Sequence, residues 1–157
     1  MKTEVTVTLT RVFDVPRERL YAAWTRAEHL KHWFGPRGFS IPSCEADPRP
    51  GGLLRLCMRS PDGKDFWVRG VFRELVAPER VLIYCVADDK DGNLSLEETI
   101  DVTLTEHSSG TRLSLRATAS GYALVTAAGK VAYRAEGPRA RELCLRRALR
   151  LGVVRLR

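Results

Sequence analysis

The chain has 157 residues, 44% of them hydrophobic, with 26 Lys and Arg against 19 Asp and Glu for a formal charge of +7. That is enough for one domain with a sizeable core and too little for two comfortable ones. No apolar run approaches the ~18 residues of a membrane span. The charge is unevenly placed: residues 121–157 hold 9 basic and 2 acidic side chains, leaving 17 of each (26 − 9 and 19 − 2) for residues 1–120. A neutral body therefore precedes a basic tail. A surface built for nucleic acid would carry its charge on the docking face, so nucleic acid is not an expected partner. Cys44, Cys57, Cys85 and Cys144 stand far apart without a C-x-x-C pair, and the chain starts MKTEVTV rather than with a charged-then-apolar leader. Reduced thiols in a cytoplasmic protein are expected, not a zinc site.

Glu4 to Thr10 alternates, with Val5, Val7 and Leu9 on one side and Glu4 and three threonines on the other, which is a strand with one buried face. Asp14 before Val15-Pro16 is placed to cap a helix whose apolar stripe is Leu20, Ala23 and Trp24. Thr25 with Glu28 reads as a capping box for a second short helix carrying Leu30, Trp33 and Phe34, stopped by Gly35-Pro36. Strand patterns follow at Phe39–Ala46, Leu53–Arg59, Phe66–Val76, Arg80–Ala87, Leu96–Glu106 and Thr111–Ala119. They are separated by breaker clusters such as Asp47 to Gly52 and Ser60-Pro61-Asp62-Gly63. Short connections imply an antiparallel meander. A final amphipathic helix opens near Pro138, with Ala140, Cys144, Leu145, Ala148, Leu149 and Leu151 on one face.

The ordered series Pro16, Leu20, Ala23, Trp24, Thr25, Glu28, Leu30 and Trp33, then Pro50-Gly51-Gly52, Asp62-Gly63, Gly70, Pro78-Glu79-Arg80 and Gly110-Thr111, resembles the activator of heat-shock protein 90 ATPase homologue family. That family belongs to the START-like (SRPBCC), birch-pollen-allergen-like superfamily. The resemblance runs over about residues 5–119 and implies a helix-grip fold of the α+β class. In that fold a curved antiparallel sheet of about seven strands wraps a C-terminal helix, with two short helices after the first strand and a cavity between. Residues 1–157 form a single START-like domain on this reading. Residues 121–157 are an atypical basic tail holding the closing helix, without the Gly-Trp that family members usually carry there. Ordinary divergence, or a coding frame disturbed near residue 120, would each give such a tail, and its amphipathic pattern favours divergence.

The chemistry-bearing residues are sparse. His29 and His32 lie three apart on a helix beside Lys31, too few for a metal site. His107 sits in a turn without an evident partner. No nucleophile elbow, phosphate loop or dinucleotide fingerprint occurs. Asp88-Asp89 and Glu97-Glu98 read as surface charges, because neighbours in a strand or turn do not converge on one atom. Cys57 and Cys85, inside apolar strands, read as small core residues. No cofactor and no metal are expected, and catalysis is not the favoured reading.

The richer signal is apolar. Trp24, Trp33, Phe39, Phe72 and Tyr84 belong to an aromatic set too large for the surface of a small neutral domain. Alternation picks Leu54, Leu56, Met58, Val68, Ile100, Val102, Leu104 and Leu115 for one face of the sheet. Together they are the candidates to line a pocket for a hydrophobic small molecule between sheet and C-terminal helix. The resemblance adds two other classes: a stress-response module that associates with a chaperone or with itself, and an enzyme of the cyclase or hydratase kind. The latter needs a buried ionisable group facing the cavity, such as Arg55, Arg69 or Asp101.

Overall fold

A computed structural model describes residues 3–35, 38–88 and 94–121. The elements run β1 (Thr3–Phe13), α1 (Arg17–Thr25), α2 (Ala27–Trp33), β2 (Ser40–Ala46), β3 (Leu53–Arg59), β4 (Asp65–Val76), β5 (Arg80–Asp88), β6 (Leu94–His107) and β7 (Gly110–Gly121). This is the expected α+β order, a strand, two short helices and six strands. The closing helix expected near Pro138, like the rest of the basic tail from residue 122, lies outside the described residues.

All seven strands join one curved antiparallel sheet in the order β1-β7-β6-β5-β4-β3-β2. From β2 to β7 the chain is the meander that short connections dictate. β1 pairs on the far side of β7, with Leu9 opposite Leu115 and Phe13 opposite Thr111. Consequently α1 and α2 carry the chain from one sheet edge to the other. Gly110 opens β7 at φ +139°, and a Cβ there would land on the Phe13 carbonyl, so only glycine fits this crossing of β1 and the β6–β7 turn.

Alternation sorts the strands into two faces. One face carries Leu54 and Leu56 from β3, Val68 and Phe72 from β4, and Val81 and Ile83 from β5, all buried. Ile100, Val102 and Leu104 from β6 and Leu113 and Leu115 from β7 continue it. α1 packs on β5 and β6 and α2 on β2, burying Leu20, Ala23, Trp24, Leu30 and Trp33 at the i, i+3, i+4 spacing of a one-sided helix.

The helix starts depart from the capping expected of them. Pro16 is the N-cap of α1 without a side-chain cap, so Asp14 does not fill that role. Tertiary contacts hold this end instead: Thr111 Oγ1 donates to the Val15 carbonyl at 2.7 Å, and Arg17 reaches Glu106 at 3.1 Å and Glu79 at 3.5 Å. The Thr25–Glu28 capping box does not form either. Thr25 is buried at the end of α1 and its hydroxyl donates back to the Tyr21 carbonyl at 2.8 Å, leaving Arg26 as the N-cap of α2.

Thr111 is fully buried, so Thr111→Val keeps its shape and strips the Val15 carbonyl of this donor. The variant should lose about 1–2 kcal/mol of stability. Urea unfolding should show a lower midpoint with an unchanged slope, as expected for a lost contact rather than an altered unfolded state.

Candidate functional site: the inner face of the sheet

The face under the helices changes character along its length. Near α1, cross-strand rows place Phe72, Ile83, Ile100 and Ala117 in line, then Val81, Val102, Leu115 and Leu9, then Leu104 opposite Leu113. Large side chains fill this half. In the other direction, the row after Phe72–Ile83–Ile100 is Leu54, Gly70, Cys85, Glu98 and Ala119. Glu98 is thus flanked directly by Cys85 and Ala119, and diagonally by Ile83 and Ala87 on β5 and by Ala117 and Gly121 on β7. At Gly70 a Cβ would lie 2.8 Å from the Tyr84 carbonyl oxygen and 2.9 Å from the Cys85 Cβ, so β4 and β5 approach closely there. Apart from Ile83, the strands beside this carboxylate present only Gly, Cys and Ala to it.

Glu98 is only 6% exposed, which corrects the surface role its sequence position suggested. A carboxylate leaves water at a high cost. The ionisable groups expected to face inward do not. Arg55 and Arg69 are exposed on the opposite face, and Asp101 accepts from Arg80 there, at 3.3 and 3.1 Å. The signal for Glu98 was its parity, since it stands in phase with Ile100, Val102 and Leu104 while Glu97 does not.

Of the apolar candidates, Leu54, Leu56, Met58, Val68, Phe72, Ile100, Val102, Leu104 and Leu115 come together on this inner face, and Trp24 and Trp33 lie under the helices. Phe39 precedes β2, half-buried, with its ring centroid 6.1 Å from that of Phe66. Tyr84 is the exception. It alternates with the inward Ile83 and Cys85, pairs with Val71 and Thr99, and so projects from the outer face beneath the Arg73 guanidinium.

Trp24 and Trp33 meet edge to face, centroids 4.5 Å apart at 70°, a geometry that aromatic quadrupoles favour. Trp33 Nε1 donates to the Ala23 carbonyl at 2.9 Å. Among the described residues Trp24 Nε1 is buried without a partner, a donor that calls for an acceptor. His29 Nδ1 is likewise buried and unpartnered. Among the described residues no group of three or more His, Cys, Asp and Glu is placed to hold a metal ion. His107 does have a partner: its Nδ1 lies 3.0 Å from Ser109 Oγ and accepts from the Ser109 amide at 3.2 Å.

The thiols are poor nucleophiles. Burial pushes Cys44 up to about 11, helped by Glu28 and Glu45 and opposed by Lys31. Burial also raises Cys57, together with the charge and hydrogen bond of Asp65. Both hold their protons at neutral pH, and thiolate chemistry is not available to them.

Residues 14–137 match the model of the family described as activator of Hsp90 ATPase homolog 1-like protein. The match passes residue 119, about where the resemblance legible in the sequence ends. Several solved structures share the fold. An uncharacterized protein from Rhizobium leguminosarum is 18% identical with a TM-score of 0.78, over 96% of this chain and 97% of its own. The AHSA1 protein from Silicibacter pomeroyi is 23% identical with a TM-score of 0.73, over 94% of this chain and 99% of its own. Protein NE0264 from Nitrosomonas europaea is 25% identical with a TM-score of 0.68, over 94% and 96%. Among curated proteins none matches. No helix of the described residues is long and apolar enough to cross a membrane.

The unequal bonding of the two tryptophans is testable. Replacing either with Phe removes similar volume, but only Trp33→Phe breaks a buried hydrogen bond and orphans the Ala23 carbonyl. Thermal or chemical unfolding should therefore find Trp33→Phe less stable than Trp24→Phe by about 1 kcal/mol.

Proposed function

The chain belongs to the activator of Hsp90 ATPase homolog 1-like family, and from that premise we propose that it binds a small apolar molecule against the inner face of its sheet. The observation that carries this reading is the buried Glu98 in a wall otherwise apolar and locally cut back to Gly70, Cys85, Ala87, Ala117 and Ala119. A wall meant only to be packed over would be filled with large side chains here, as it is around Phe72 and Ile100. Binding sites for small molecules combine apolar walls with a few placed polar groups. Glu98 is the placed polar group of this wall.

The same carboxylate favours a second reading, an enzyme of the cyclase or hydratase kind, in which Glu98 would move a proton rather than anchor a ligand. Native mass spectrometry of the protein purified from its own host separates the two. Binding predicts a co-purifying small molecule on the wild type that is lost on Ala119→Leu, while circular dichroism shows the fold retained. If Glu98 is catalytic, Glu98→Gln will instead carry a molecule of different mass, the unconverted substrate. A wild type that carries nothing and takes up no apolar fluorophore on titration would overturn the proposal.

A further inference from the structure

The outer face of the sheet carries a cluster that neither the core nor the inner wall uses. Register sets Arg55 of β3 directly opposite Arg69 of β4, an arrangement of like charges that costs stability. The next outer row is Leu53, Val71 and Tyr84, with Leu53 72% exposed. Trp67 is opposite Cys57 and 36% exposed.

The arginines are held in place by rings. The Arg55 guanidinium lies 4.4 Å from the Trp67 centroid, although Glu45 is its cross-strand neighbour on β2. That of Arg73 lies 4.2 Å from the Tyr84 centroid. Arg69 is bound to Asp88 at 2.9 Å. Arg55 and Arg73 have no carboxylate in ion-pair distance among the described residues. Two uncompensated cations are thus immobilised on aromatic rings beside exposed apolar side chains, and stacking has already removed part of the ordering cost of binding. Arg, Trp and Tyr are also the residues that dominate protein-interface energetics.

We propose that this face docks an acidic segment of a partner protein, its carboxylates on Arg55 and Arg73 and its apolar side chains on Leu53 and Trp67. Charge complementarity selects the partner, and the pattern favours protein over nucleic acid. Asp88 and Glu45 share the patch and would repel a continuous line of phosphates, and one face of Trp67 is covered by Arg55 instead of being open to stack a base.

The test follows the indole resonances of the 15N-labelled full chain, with that of Trp67 identified by Trp67→Phe. The probe is a synthetic glutamate-rich peptide with interspersed leucines. Saturable shifts of the Trp67 indole and of the Arg55 and Arg73 Nε–H signals are expected, with Trp24 and Trp33 unmoved. Affinity should fall about tenfold or more in Arg55→Glu/Arg73→Glu, where the two charge pairs become repulsive. The charge-keeping Arg55→Lys/Arg73→Lys pair, which loses stacking but is the safer fold control, should weaken binding only several-fold. Absence of a Trp67 shift would overturn the proposal, as would equal shifts from a lysine-for-glutamate peptide or undiminished binding by both double variants. Tighter binding of oligothymidylate than of the acidic peptide would overturn it in favour of nucleic acid.

Discussion

β1 and β2 are consecutive in the chain and stand at opposite edges of the sheet, so residues 14–39 must carry the backbone from one edge to the other. Seven flat strands at ~4.8 Å spacing would hold those edges roughly 29 Å apart. α1 and α2 together supply roughly 24 Å of helix at ~1.5 Å per residue, and the other ten residues of the link add extended chain at up to ~3.3 Å each. The contact of Trp24 with Trp33 folds them against each other, which shortens their reach further. With that added length the link makes the crossing, and the sheet curves around the helices seated on its inner face. Register shifts in the β2–β3, β4–β5 and β5–β6 pairs serve that curvature, since a bulge bends a strand that would otherwise run straight.

Curling gives the faces unequal roles. The inner one is shielded and takes most of the large apolar side chains of β3 to β7. The outer one displays arginines, threonines and acids, tied by pairs such as Arg59–Asp65 at 2.7 Å and Arg80–Asp101 at 3.1 Å. Such exposed pairs contribute little stability each, so the fold depends on the inner face and the helices seated on it. This is why a carboxylate on that face carries more information than any of those outside. It is also why the Arg55–Arg69 juxtaposition can persist: an exposed like-charge pair costs a fraction of what a buried one would.

The fold was largely legible because one-sided strands alternate and one-sided helices repeat at three and four residues. Leu53–Arg59 was placed to the residue, and the other strands to within a few. The resemblance to a known family supplied the name of the architecture, which periodicity could not. What failed was local and tertiary. Asp14 and Thr25 have good capping chemistry, but Pro16 takes the N-cap position of α1 and the Tyr21 carbonyl claims the Thr25 hydroxyl. The aromatic character of Tyr84 suggests the inner face, whereas its alternation with Ile83 and Cys85 points it outward. The charge of Glu98 suggests the surface, whereas its parity with Ile100 points it inward. In both cases phase along the strand outweighed residue type, because the pleat fixes direction before chemistry has any choice.

The one place where simple parity would mislead is β4, and there both faces depend on the exception. Phe66, Val68, Gly70 and Phe72 keep the inner phase, and strict alternation would next turn Glu74 inward. The bulge between Phe72 and Glu74 admits Arg73 as an extra residue. Glu74 then pairs with Leu82 on the outer face and Leu75 with Val81 on the inner one. A second acid is thus kept off the inner wall, which leaves Glu98 as its buried carboxylate among the described residues. The same insertion frees Arg73 from the ladder so that its guanidinium can lie over Tyr84. A single extra residue therefore sets both the polarity of the inner wall and the position of a cation outside it.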